Sequence, residues 1–128
     1  MADVDGRPVR LAIPAEARHL RLARLTAAGI AGEAGFTLEA IEDLRVAVDE
    51  VCAILIEGAG EDAEVTLEYR TGPDGLVIEG SCPNGGGEPD LHPVARELLA
   101  MTADEYEVGR EGSSVVFRLV KRRPGALP

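Results

Sequence analysis

The stretch Ile41-Glu42-Asp43-Leu44-Arg45-Val46-Ala47-Val48-Asp49-Glu50-Val51-Cys52-Ala53-Ile54-Leu55-Ile56 decides the fold. Its residues Ile41, Leu44, Val48, Val51 and Leu55 recur at steps of three and four. At 3.6 residues per turn they make one apolar stripe that can face a core. Thr37 stands where an N-cap is needed, and Phe36 and Ile41 take the N′ and N4 places of a hydrophobic staple. Gly58 and Gly60 punctuate the far end. A second line on the same helix, Asp43, Ala47, Glu50 and Ile54, mixes acids with apolar groups, and Glu50 is its first candidate for chemistry.

Upstream, Val9, Leu11 and Ile13 alternate with Arg10 and Ala12, a half-buried strand from Pro8 to Ile13 that Pro14 ends. From Ala15 to Ala34 the positions Leu20, Ala23, Ala27, Ile30 and Ala34 predict a first amphipathic helix. Its other surface carries Arg18, Arg21 and Arg24, and Gly32 and Gly35 loosen its end. Downstream, Glu61 to Arg70 alternates as a strand, Thr71-Gly72-Pro73-Asp74-Gly75 is turn chemistry, and Leu76 to Gly80 returns as a hairpin. Ser81 to Pro89 reads as a loop containing Gly85-Gly86-Gly87. Leu91 to Met101 predicts a short helix with Pro93 in its first turn. Glu105 to Val108 and Ser113 to Lys121 predict a last hairpin around Gly109-Arg110-Glu111-Gly112, followed from Lys121 by a frayed basic tail. Strands that alternate have one wet face, so the fold class is α+β: a two-layer sandwich whose mostly antiparallel, mixed sheet carries the helices on one face.

A chain of 128 residues reads as one domain, 1–128 with its core at about 8–122. Aromatic residues are only 3% and Trp is absent, so the core must be aliphatic. A net charge of −10 opposes the phosphate attraction that dominates nucleic-acid affinity, so no direct nucleic-acid partner is expected. It permits a basic protein partner without demanding one. Cys52 and Cys82 show no metal-ligand or redox spacing with His19 and His92, and no metal site is expected. Cys52 reads as a buried thiol; Cys82 reads either as a loop thiol or as a packed one. No run approaches a membrane span and no apolar leader precedes Pro8, so a cytoplasmic protein with reduced thiols is expected.

This order of elements, with a carboxylate-bearing second helix and a glycine loop after the central hairpin, resembles the histidine-kinase-like (Bergerat, GHKL) ATPase fold. More narrowly it resembles the RsbW-type anti-sigma factors of stress and sporulation switches, which are also serine kinases. The likeness is sharpest in Asp43 to Cys52, around a helix glutamate, and in Gly112-Ser113-Ser114-Val115-Val116-Phe117-Arg118-Leu119, the turn into the last strand.

In that family the helix reads Glu-x-x-x-Asn, and the i, i+4 spacing turns both groups toward one side. The resemblance makes Glu50 the catalytic base or water activator. The Mg²⁺-holding asparagine is replaced by Ile54, which has no oxygen for a hard cation. The family's adenine-binding Asp-x-Gly-x-Gly corresponds to Cys82-Pro83-Asn84-Gly85-Gly86, with Cys82 in the acidic place, or Pro83 if the register slides. The glycine lid that cradles phosphate has no counterpart in Glu88-Pro89-Asp90-Leu91-His92-Pro93. Glu50, Ile54, Cys82, Gly85, Gly86 and Gly112 are thus a vestigial nucleotide set. Three missing contacts at ~1–3 kcal/mol each would remove most of the roughly 8 kcal/mol of a micromolar affinity. Weak or no ATP binding is the expectation, with no cofactor; ATP and Mg²⁺ return only if the chain is an active kinase.

The resemblance places Arg24, and more weakly Arg21, against a sigma factor, and a guanidinium suits pairing with a partner's carboxylate. Arg24 on a solvated basic face, Glu50 as a plain surface carboxylate and Gly85 to Gly87 as a flexible turn are the plainer readings. Asp49, four after Arg45, predicts an ion pair within the helix. The family reading is an anti-sigma factor that occludes its sigma factor, is released by an anti-anti-sigma antagonist and forms a homodimer. Its rivals are a serine kinase acting on that antagonist, and a binding module of another stress assembly.

Overall fold

Thr37 opens α2 (Leu38–Ile56), its hydroxyl accepting from the Ala40 amide at 3.1 Å. The extended backbone of a cap lets its oxygen reach a donor that no helical carbonyl serves. Leu44, Val48, Val51 and Leu55 are buried as their spacing predicts, while Ile41 is half-buried against the same core and Phe36 is buried beside it. The computed structural model describes residues 7–123. Before α2 come β1 (Val9–Pro14), a 3-10 turn (Ala17–His19) and α1 (Leu20–Glu33). After it come β2 (Glu64–Gly72), β3 (Gly75–Pro83), α3 (Pro93–Thr102), β4 (Glu105–Glu111) and β5 (Ser114–Arg122).

The sheet order is β1-β2-β3-β5-β4, and every pairing is antiparallel. This corrects the expectation of a mixed sheet. One helical crossing makes β3 and β4 run the same way, but β5 lies between them, so they never pair. Val65, Leu67 and Tyr69 of β2, Leu76, Ile78 and Cys82 of β3, and Val115, Phe117 and Leu119 of β5 are buried under the helices. Alternate positions such as Thr66, Glu79 and Arg118 are exposed on the other face. Gly80 lies on the helix side, where a Cβ would sit 2.4 Å from Phe117 Cε2, so only glycine fits beneath that ring. Tyr69 Oη donates to the Ala23 carbonyl at 2.9 Å and ties β2 to α1, whose buried face carries Ala23, Ala27 and Ala31.

Several element limits move. The first helix starts as a 3-10 turn, and α-helical geometry begins at Leu20 rather than Ala15. Ile30, expected in its core stripe, is half-buried while Ala31 is buried. β3 runs on to Pro83, so Cys82 is a buried strand residue rather than part of the loop. β4 runs to Glu111, so Arg110 is in the strand and the turn tightens to Gly112-Ser113, with Gly112 at φ 62°.

The frayed basic tail is also corrected. Lys121 and Arg122 belong to β5, and Lys121 Nζ donates to Asp43 Oδ2 at 3.3 Å and to the Thr102 carbonyl at 3.1 Å. Arg123 donates to the carbonyls of Ala34, Gly72 and Pro73, and its guanidinium lies 5.5 Å from the Phe36 ring centroid. Basic residues at a chain's edge look solvated in sequence; here helix-end and turn carbonyls hold them. The readings for the first six residues and for Pro124 onward lie outside the described residues.

Candidate functional site

The topology brings the C-terminus of α2, the end of β3 and the β4–β5 turn to one end of the sheet. Asn84, just past β3, ties them together. Its amide donates to the Ser113 carbonyl at 3.0 Å, and its Nδ2 donates to Leu55 O at 3.2 Å and Glu57 O at 2.8 Å. Its Oδ1 accepts from the Gly86 amide at 2.9 Å. The last carbonyls of a helix lack intrahelical donors, and this buried side chain serves two of that group. Gly58, at φ 83°, turns the chain away from α2 beside Asn84; a Cβ there would sit 3.4 Å from Oδ1. Arg110 adds a second tie, donating from Nε and Nη2 to Gly87 O at 3.3 and 3.0 Å. Neither tie was read from the sequence. Asn84 stands in a Pro-Asn-Gly-Gly run with no local partner for its side chain, and Arg110 stands in a stretch whose glycines read as a turn.

Glu50 is half-buried on α2, two turns after the Asp43 that Lys121 engages, and Ile54 is half-buried one turn further on. None of the ion pairs among the described residues involves Glu50. Cys82 is buried with its thiol against the Pro83 carbonyl at 3.5 Å, and burial raises its pKa. Gly85, Gly86, Gly87 and Gly112 are exposed.

These residues do not fit Mg²⁺–ATP. Magnesium needs oxygen ligands, yet Ile54 is aliphatic, and an adenine amino group needs an acceptor where Cys82 offers a buried thiol. Asn84, which could have served either role, has both donors and its oxygen committed to the backbone. Among the described residues, no group of three or more His, Cys, Asp or Glu side chains could hold a metal ion.

The other sequence-predicted residues lie on the outer surface of the two long helices. Arg24 Nη1 donates to Asp49 Oδ1 at 2.8 Å, bridging α1 and α2 with both side chains partly exposed. This corrects the expected Arg45–Asp49 pair: Arg45 pairs with Glu42 at 3.0 Å instead. Helical spacing nominated the neighbour within one helix, but packing supplied a partner from the other. Arg18 pairs with Glu16 at 2.8 Å, and Arg21 is exposed. Leu22, Leu25 and Val46 are large apolar residues left exposed on these two helices. Beneath them Cys52 is buried, its pKa pushed up to about 12, first by desolvation and then by the Asp49 charge. His19 and His92 lie apart, and His92 caps α3 by accepting from the Val94 amide at 3.3 Å.

On the opposite side of the molecule, an open depression of about 510 Å³ on the bare sheet face is lined by charges. Among them Glu68 pairs with Arg10 at the rim and Glu79 with Arg118. No helix among the described residues is long and apolar enough to cross a membrane.

Residues 13–119 match the family model described as the histidine kinase-like ATPase domain. The serine-protein kinase RsbW of Listeria innocua serovar 6a is 37% identical over 106 residues, covering 80% of this chain and 63% of that protein. The serine-protein kinase RsbW of Bacillus pumilus is 36% identical over 113 residues, covering 81% of this chain and 68% of that protein. This chain therefore spans about two thirds of the length of such relatives. A crystal structure of the RsbU and RsbW domains of a Mycobacterium tuberculosis protein superposes with a TM-score of 0.69. It covers 96% of this chain and 35% of that one at 16% identity, a likeness of fold.

Proposed function

We propose, from the premise that this chain belongs to the histidine kinase-like ATPase domain family in its RsbW-type branch, that it works as an anti-sigma factor by binding. It holds a sigma factor away from RNA polymerase through α1, with Arg24 and then Arg21 as the contacting cations. An anti-anti-sigma protein releases it by competing for the same surface. A homodimer in the cytoplasm is the working assembly. One observation carries this reading. Where the family's nucleotide contacts belong, the chain has Ile54, a buried Cys82 and an Asn84 spent on backbone, while the arginine face of α1 stays partly open. No phosphoryl-transfer step is derived for a site without ligands for the metal.

The test is co-purification of the full chain from its own cells, followed by direct binding of the sigma factor recovered. Wild-type protein should bring down a sigma factor, and Arg24→Glu should weaken that complex at least tenfold by setting two carboxylates against each other. Recovery of other proteins and no sigma factor overturns the reading.

The kinase alternative has two points in its favour: Glu50 stands where the resemblance places the catalytic base, and the relatives above are serine-protein kinases by name. Titration with a fluorescent ATP analogue and Mg²⁺ separates the two. Micromolar binding, with phosphate appearing on the antagonist, would establish the enzyme; no saturation below millimolar supports the binding protein.

A further inference from the structure

We infer that Asp49 is a built-in competitor for the partner-binding arginine: it occupies Arg24 in the free protein and must give that guanidinium up when an acidic partner segment docks. This rests on the anti-sigma reading and adds a regulation to its surface. The two helices bring together residues 25 positions apart, with Arg24 Nη1 on Asp49 Oδ1 at 2.8 Å. The arginine side chain is 34% exposed and the aspartate 50%, so water reaches the pair. A solvated pair of this kind is weak enough to exchange partners.

The surroundings define what docks. Arg21 and Arg24 lie on the outer half of α1, in a chain whose net charge is −10. Leu22 and Leu25, 39% and 54% exposed, lie beside them. An amphipathic partner helix with a carboxylate next to apolar side chains matches both. Its carboxylate meets Asp49 twice over, as a rival for the same donors and as a like charge a few ångströms away. Asp49 therefore lowers affinity and slows docking, and both effects fade as salt screens the charge. The bond is single, so the aspartate has no hold on the remaining guanidinium N–H groups, and the partner can attach there before Asp49 lets go.

The experiment uses the full chain and, as pure protein, the sigma factor recovered in the co-purification above. Asp49→Asn keeps an oxygen at the same place but removes the charge. It should tighten the complex about three- to tenfold at low salt, with a smaller gain at high salt. In an Arg24→Ala background the same change should gain distinctly less, because only the like-charge repulsion is left to relieve. In the free protein, the Arg24 Nε–H resonance should move in Asp49→Asn while the unfolding temperature stays within a few degrees, showing that the pair and not the fold was altered. An Asp49→Asn complex of equal or lower affinity, with Arg24→Ala still weakening binding, overturns the competitor and leaves the anti-sigma surface standing. Arg24→Ala binding as tightly as wild type overturns both.

Discussion

Asn84 and Arg24 each donate a hydrogen bond across a gap between two elements, under opposite conditions. Asn84 is 5% exposed and neutral, and it reaches two helix-end carbonyls, one buried and one part-buried. Arg24 is charged and partly exposed, and it reaches a carboxylate that solvent could serve equally well. The first bond closes the loop end of the molecule because unpaired buried polar groups are costly. The second lies on an open face and can be exchanged at small cost. A ligand-binding end needs donors held in reserve; Asn84 has given both of its side-chain donors to the backbone. The reserve is on the outside of α1 and α2.

Asn84→Ala should break that contrast most visibly. It strips one buried carbonyl, one part-buried carbonyl and the Gly86 amide of their partner, and should destabilise the protein by roughly 2–3 kcal/mol. Urea unfolding reads this as a lowered midpoint at unchanged slope. A loss below about 0.5 kcal/mol would mean that the loop end is no more firmly closed than the helix face.

High pH probes the interior beneath that face. The Cys52 thiol has an ordinary pKa of 9.0 and a folded value of about 12. Above pH 9 the unfolded chain therefore loses a proton that the folded chain keeps. The unfolded state then binds fewer protons, so stability falls as pH rises, by up to about 1.4 kcal/mol per unit until the folded thiol ionises. The Tyr69 hydroxyl is raised in the same direction, first by burial and then by Cys52, and steepens the fall above pH 10. Denaturant midpoints from pH 8 to 11 measure the slope, and Cys52→Ala should flatten it. A slope unaffected by Cys52→Ala would show that this thiol is open to solvent.

Arg123 stands between the two extremes. It is charged and half-buried, with three carbonyls and an aromatic face as partners. Arg123→Ala should cost about 1 kcal/mol by thermal or urea unfolding. A change near zero would place Arg123 with Arg24, as a bond the fold can spare.

The parts of this molecule that obey local periodicity were legible. Leu44, Val48, Val51 and Leu55 announce a buried helix face, and Thr37 announces its start, because spacing along one helix determines both. Alternation gave the strands and hence the two layers. What stayed hidden depends on partners far along the chain. Asn84 acquires its role from Leu55 and Glu57, 29 and 27 positions away, and nothing in a Pro-Asn-Gly-Gly run points to them. Arg123 is read by carbonyls 89 and 51 positions away. Asp49 was assigned to Arg45 because the i, i+4 rule sees only one helix, whereas α1 delivers Arg24 to the same carboxylate. The expectation about the nucleotide motifs rests on side-chain chemistry alone: an isoleucine side chain carries no oxygen to offer magnesium.

The smallest effect on folding belongs to Arg24, and it is the one that separates a binding residue from a structural one. Arg24→Ala removes one exposed ion pair, whose typical contribution is ~0.2–1 kcal/mol, and alanine is the better helix former, which offsets part of the loss. The unfolding free energy should therefore change by less than about 0.5 kcal/mol, within the range of ordinary surface substitutions. The same variant should weaken the sigma complex severalfold, since the guanidinium leaves water more completely against a partner than against Asp49. If instead Arg24→Ala destabilises the fold by as much as Asn84→Ala, the α1–α2 bridge is a structural tie. The open face would then be closed like the loop end, and the contrast that assigns one region to self-assembly and the other to a partner would have no physical basis.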